Sequence, residues 1–192
     1  MMKFEQTTFQ SALNVVSLVD AKNHLRVEHD SDDTLITALI SGAQDMVQRY
    51  TGTFLQRTSG VFYHDHFHDF MDLHLGINVE VTDGTNKVAY IDETTGTETR
   101  VASSDFQLDG KNYPARLRVT DLPTNVKDEL NAVRIYVTGG YDSTDRPPAL
   151  VSAMLLIIGH LYENRQDVTS FKQYEIPMSS QYLMNPYRLK SF

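Results

Sequence analysis

Val47-Gln48-Arg49-Tyr50-Thr51-Gly52 and, further on, Val61-Phe62-Tyr63-His64-Asp65-His66-Phe67-His68 lie on either side of the point where the chain changes its hydrophobic period. Upstream, Leu35, Ile36, Leu39, Ile40, Ala43, Met46, Val47 and Tyr50 recur at steps of three and four, the spacing of an amphipathic helix. Asp32 and Asp33 sit at its start, favourable against the helix dipole, and Gly52 stands where a left-handed cap ends a helix. Downstream the period is two. Residues 61–68 alternate like a strand. Lys87-Val88-Ala89-Tyr90-Ile91-Asp92 and Glu98-Thr99-Arg100-Val101 flank the turn Glu93-Thr94-Thr95-Gly96, a hairpin signal. Phe106-Gln107-Leu108, Arg116-Leu117-Arg118-Val119 and Val133-Arg134-Ile135-Tyr136-Val137 read as further strands, closed by Gly139-Gly140.

Working outward, Ser17 with Asp20 three residues on forms an acidic capping box, and Leu18, Ala21 and Leu25 predict a short helix to about Arg26. Residues 1–16 show no firm period and are expected to be a flexible arm. Helix returns at Pro147-Pro148, where proline suits a first turn. Leu150, Val151, Met154, Leu155, Ile158, Leu161 and Tyr162 form one apolar face, and Ala153, Leu156 and Ile157 a second. A helix apolar on two sides is expected to be buried on both, the second against another subunit. The predicted fold class is α+β. A helical core from residues 17–56 and 145–192 carries an antiparallel β insertion, sandwich- or barrel-like, over residues 57–144.

The 192 residues include no cysteine, which excludes a disulfide framework, a thiolate metal site and a cysteine nucleophile. The net charge of −8 argues against affinity built on neutralising phosphates. That charge is unevenly held. Residues 59–144 carry seven basic and fourteen acidic groups, net −7, while residues 1–58 carry −2 and residues 145–192 carry +1. No stretch reaches the ~18 apolar residues of a membrane span, and the N-terminus lacks a signal pattern. The expectation is a soluble protein of a reducing compartment, with no membrane partner.

Few residues offer chemistry. On a strand, His64, His66 and His68 point to one side, and three imidazoles can hold zinc or nickel. Three ligands spaced ~6.5–7 Å apart on one straight strand are an awkward tetrahedral set, so a solvated polar face is the plainer reading. A metal-binding enzyme or binding module on this face is the alternative function. His24 and His160, on predicted helices beside apolar neighbours, read as core or interface histidines. No HExxH, GxSxG or GxxxxGK[ST] motif is present. No catalytic, cofactor-binding or metal residue is assigned, no cofactor is expected, and the chain does not read as an enzyme.

The order of these elements resembles a known family. Ser17-Leu18-Val19-Asp20-Ala21-Lys22-Asn23-His24-Leu25-Arg26-Val27, an acidic turn, and Asp33-Thr34-Leu35-Ile36-Thr37-Ala38-Leu39-Ile40 resemble the opening of the head-tail connector (adaptor) proteins of tailed bacteriophages. Val47–Gly52, Gly139-Gly140-Tyr141, Arg146-Pro147-Pro148, the run Leu155–Arg165 and the closing Leu183-Met184-Asn185-Pro186-Tyr187-Arg188 fit the same pattern. The resemblance implies a non-enzymatic structural protein of the virion, assembled in the host cytoplasm. It implies a homo-oligomeric, typically twelve-fold ring beneath the portal protein, extending the DNA channel and docking the next neck or tail-completion protein. DNA would pass through without sequence-specific binding. The C-terminal segment of such proteins commonly engages the portal, and longer members carry a β insertion. The pattern does not call for the His64/His66/His68 cluster.

Overall fold

A computed structural model describes residues 3–9, 14–81, 87–110, 112–164 and 178–189. The chain forms two compact units. One comprises Met1–Gln10, Gln56–Asp142 and Lys190–Phe192, the other Ser11–Leu55 and Ser143–Leu189.

The first unit holds β1 (Lys3–Phe9), β2 (Thr58–His64), β3 (Met71–Leu73), β4 (Val88–Ile91), β5 (Glu98–Arg100), β6 (Phe106–Asp109), β7 (Ala115–Val119) and β8 (Val133–Gly139). They make two antiparallel sheets, a five-stranded one of order β1-β2-β8-β4-β5 and a three-stranded one of order β3-β7-β6. Period-two patterning decides which side is buried. Val133, Ile135 and Val137 of β8 are buried, and the residues between them only half so. On β7, Ala115, Leu117 and Val119 are buried while Arg116 and Arg118 are exposed. The chain following β3 covers the end of β8: a Cβ on Gly139 would lie 2.9 Å from Leu75 Cδ2 and 3.3 Å from the Ile77 carbonyl oxygen. A side chain at this position would have to push Leu75 aside. In the β4–β5 turn, buried Asp92 accepts hydrogen bonds from the Thr94 and Thr95 amides at 2.7 and 2.9 Å and from the Asn125 side-chain amide.

Two expectations change here. The N-terminal arm read over residues 1–16 contains β1, whose backbone pairs along β2 from Lys3 opposite Tyr63 to Phe9 opposite Thr58. An edge strand needs only a partner, not a strong pattern of its own, and β2 supplies one. The strand read over 61–68 stops at His64. Its neighbour β8 begins at Val133, and the Asp65 side chain accepts the Asn131 amide at 2.9 Å, turning the chain away where no ladder remains.

The second unit holds α1 (Leu18–Leu25), α2 (Asp33–Thr51), α3 (Pro148–Glu163) and α4 (Met178–Met184). Ser17 caps α1, its hydroxyl accepting the Asp20 amide at 3.0 Å and donating to the Asp20 carboxylate at 2.6 Å. Arg26 ends α1 in the left-handed region with φ 57°, and Gly52 ends α2 with φ 76°. Pro148 opens α3. Ile36, Ile40, Ala43 and Val47 of α2 and Leu150, Ala153, Met154, Ile157 and Ile158 of α3 are buried, making the helical core.

Candidate assembly surfaces

In the helical unit the buried face of α3 is one broad stripe. Ala153 and Ile157, read from sequence as part of a second side, join Leu150, Met154 and Ile158 in burial within the chain itself. Val151 and Leu155 on one flank and Leu156 on the other stay half-buried, as do Leu161 and Tyr162 in the last turn. The sequence counted apolar positions correctly but split them at the wrong angle. The helix α2 repeats this arrangement. Leu35, Leu39 and Met46 lie half-buried along one flank, beside exposed Gly42, at which an added Cβ would meet nothing within 4 Å. Val19 of α1 and Tyr182 of α4 are exposed at 66% and 69%. These are apolar groups that the unit does not cover.

Side-chain hydrogen bonds tie α2 to other segments of the helical unit. The Tyr50 hydroxyl donates to the Asn185 carboxamide oxygen at 2.6 Å, and the Arg188 guanidinium lies 5.3 Å from the Tyr50 ring. The Leu189 amide donates to the Thr51 carbonyl at 2.8 Å. The closing motif Leu183–Arg188 is thereby seated on the end of α2, a tie between distant segments that no local sequence signal announced. Gln44 and Gln48, on the same helix, accept the amides of Val15 and Leu55 at 3.1 and 3.0 Å.

In the β unit, Glu98 gathers Lys87 at 2.5 Å, Arg134 at 3.0 Å and the Tyr136 hydroxyl at 2.8 Å. Burial alone would raise the Glu98 pKa; the three donors outweigh it and hold the carboxyl below its usual range. The outer side of the three-stranded sheet carries exposed Phe70 with the Arg118 guanidinium 5.6 Å from its ring centre, and Arg116 paired with Asp109 at 2.9 Å.

The structure does not assemble the histidine triplet into a ligand set. Because β2 ends at His64, strict alternation is lost. His66 is largely exposed and lies 3.9 Å from Asp128, while His64 and His68 stack edge to face with ring centres 6.0 Å apart. Among the described residues no three His, Cys, Asp or Glu side chains are placed to hold a metal ion. His64 Nε2 is buried without a partner among these residues, and burial followed by the nearby His68 pushes the His64 pKa down. His24 is exposed rather than in the core, its ring beside Gly159; His160 is half-buried, its carbonyl accepting the Asn164 side-chain amide at 2.9 Å. No helix among the described residues is long and apolar enough to cross a membrane.

Residues 15–87, spanning α1, α2 and the first strands after them, match the sequence model of the phage gp6-like head-tail connector protein family. None of the curated proteins matches in sequence. Among solved structures, a chain in the neck of an empty gene transfer agent particle, computed with C6 symmetry, has a TM-score of 0.74 at 17% identity, covering 99% of this chain and 97% of that one. A chain of the native gene transfer agent virion gives 0.68 at 18% identity, over 98% of this chain and 96% of its own length. A chain of the native particle's neck, computed with C12 symmetry, gives 0.65 at 17% identity, over 99% and 97%. The chain carries, over residues 15–87, the sequence signature of the phage gp6-like head-tail connector family, within an α+β fold shared along nearly its whole length with proteins of gene transfer agent particles.

Proposed function

We propose that the protein is a structural component of a virion neck. Copies of it form a ring under the portal protein, twelve-fold where the portal is twelve-fold. The ring extends the DNA channel and presents a surface to the next neck or tail-completion protein. The observation that carries this reading is the coincidence of two independent likenesses: the connector family signature over residues 15–87, and a fold matched over 99% of the chain by a protein in a particle neck. Half-buried apolar flanks on α2 and α3, with exposed Val19 and Tyr182, supply surface that a ring would cover. The acidic β unit, net −7 over residues 59–144, gives DNA no reason to bind there, since affinity for phosphates comes from releasing counterions to basic groups. The chain works in the virion, after assembly in the host cytoplasm, and needs no cofactor for this role.

Co-expression with the portal protein of the same genome, followed by electron microscopy, tests the reading. The expected result is a second ring stacked coaxially on the portal. A portal that remains bare at saturating concentrations of the chain would overturn it. A monomer in the absence of portal is compatible with it, because binding surfaces commonly order on docking.

A further inference from the structure

The strand β1 stands apart from the rest of its sheet. It lies at an edge, bonded to β2 alone, with residues 3–6 and 8–9 in register against β2 and Thr7 bulged out between them. It is the first element of the chain and pairs within the β unit, whereas α1 and α2, which follow it, belong to the helical unit. Removing it breaks no other ladder. The strand it covers cannot be left open: β2 is buried at Thr58, Gly60, Val61 and Phe62, residues that point to both sides of the sheet. A bare edge of this kind is a template for pairing with another chain. The opposite edge of the sheet is managed differently, by the three-residue β5 with charged Glu98 and Arg100. The β2 edge is covered by a strand that reaches it from a different part of the chain, and the β1–β2 register shows how the segment Lys3–Phe9 fits it.

We infer that in the assembled ring this strand comes from the neighbouring copy, so that β1 strands are exchanged around the ring. The inference rests on the ring proposed above. The hydrogen bonds made in exchange are the same ones made within one chain, so the exchange sacrifices no pairing, and identical neighbours are what a ring provides. The effect is to tie the helical unit of each copy to the β unit of the next, without any surface beyond those already present. The strand seen on this edge is the chain's own Lys3–Phe9, and a second copy carries the same segment with the same complementarity.

The absence of cysteine makes a clean test possible. Lys3 and Tyr63 are facing partners, and facing residues of antiparallel strands lie ~4.5–5.5 Å apart between Cα atoms, within the reach of a disulfide. The full-length Lys3→Cys/Tyr63→Cys chain is oxidised as a portal-bound ring and as the unassembled chain, then run on a denaturing gel without reductant. A second pair, Thr8→Cys/Ser59→Cys, also facing, guards against unsuitable geometry at the first. Exchange predicts a ladder of covalent multimers from the ring, collapsed by reductant, and only internally bonded monomers from the unassembled chain. Rings whose chains run as internally bonded monomers, or keep free thiols at both pairs, overturn the inference and leave the ring standing. If no ring forms on the portal, the connector reading falls and the inference falls with it.

Discussion

The Tyr162 hydroxyl donates a 2.6 Å hydrogen bond to Asp32 Oδ2, joining the last turn of α3 to the residue that precedes α2. Asp32 occupies the cap position of α2 yet makes no side-chain cap bond there; its carboxylate is turned to α3 instead. The helix starts without that cap because the Asp32 carbonyl accepts the Ile36 amide at 2.9 Å and Asp33 supplies charge in the first turn. Tyr162→Phe removes a hydrogen bond to a partly buried anion and is expected to destabilise the helical unit by about 1–2 kcal/mol. Because the two side chains share this bond, the loss in the Asp32→Ala/Tyr162→Phe double variant should be smaller than the sum of the two single losses. Urea denaturation of the three variants reads this directly. Additive losses would show that the two residues stabilise the unit separately.

That bond illustrates what local sequence carries and what it does not. Ser17 with Asp20, and Gly52 after Tyr50, are signals complete within a few residues, and the helix ends they mark are where they were read. The hairpin around Asp92 and the alternation of β7 and β8 were equally local. Lys3–Phe9 was not readable, because a strand at an edge is defined by its partner, and that partner, β2, comes much later in the chain. The same holds for Tyr50 with Asn185, separated by 135 residues. The strand expected through His68 ended early for the complementary reason. The histidine spacing implied a straight strand through His68, but the length of β2 is set by β8, which begins opposite His64. On α3 the sequence named the apolar residues without fixing the axis about which they divide.

His64 is expected to make the β unit sensitive to acid. Burial, followed by the neighbouring His68, pushes its pKa below the ordinary 6.5, against the opposing effect of Asp65. A histidine with a depressed folded-state pKa binds its proton more readily in the unfolded chain. Its neutral form therefore supports the fold above pH 6.5, and that support is lost as pH falls from there through the lower folded value. Thermal melts of the wild type should shift down between about pH 7 and about pH 5. In His64→Leu, which has no proton to take up and no buried nitrogen without a partner, the shift should be smaller. An equal shift in both chains would assign the acid sensitivity to other groups.

Glu98 has the opposite sign of charge but the same direction of pH dependence. Its folded pKa lies below the ordinary 4.5, because the Lys87, Tyr136 and Arg134 donors prevail over burial. Its stabilising contribution is complete above that ordinary value and is lost as pH falls through the folded one. Glu98→Gln leaves Lys87 and Arg134 close together without their shared anion, and is expected to destabilise the β unit by about 1–3 kcal/mol at neutral pH. The penalty should shrink as the solution is taken from about pH 5 to about pH 3, because the wild type then loses its own carboxylate. Denaturation midpoints of both chains across that range measure the effect, and a penalty independent of pH would mean that packing, not charge, is what the substitution disturbs.

Adjacent positions on α3 separate stability from assembly. Ile157 is 1% exposed, inside the helical core, whereas Leu156 is only half-buried on the flank. Ile157→Ala opens a cavity that the neighbouring Met154 and Ile158 cannot fill without moving, and is expected to lose about 2–5 kcal/mol. Leu156→Ala gives up a side chain that keeps much of its contact with water, and should lose about 1 kcal/mol in the unassembled chain. If the flank is covered in the ring, Leu156→Ala should nonetheless lower the fraction of chains bound in rings on the portal, at protein concentrations where the wild type is fully assembled. Denaturation of the free chain and the counting of decorated portals by electron microscopy give the two numbers independently. Normal ring occupancy by Leu156→Ala would move the interface to another face of the helical unit, with the α2 flank of Leu35, Leu39 and Met46 the next to substitute.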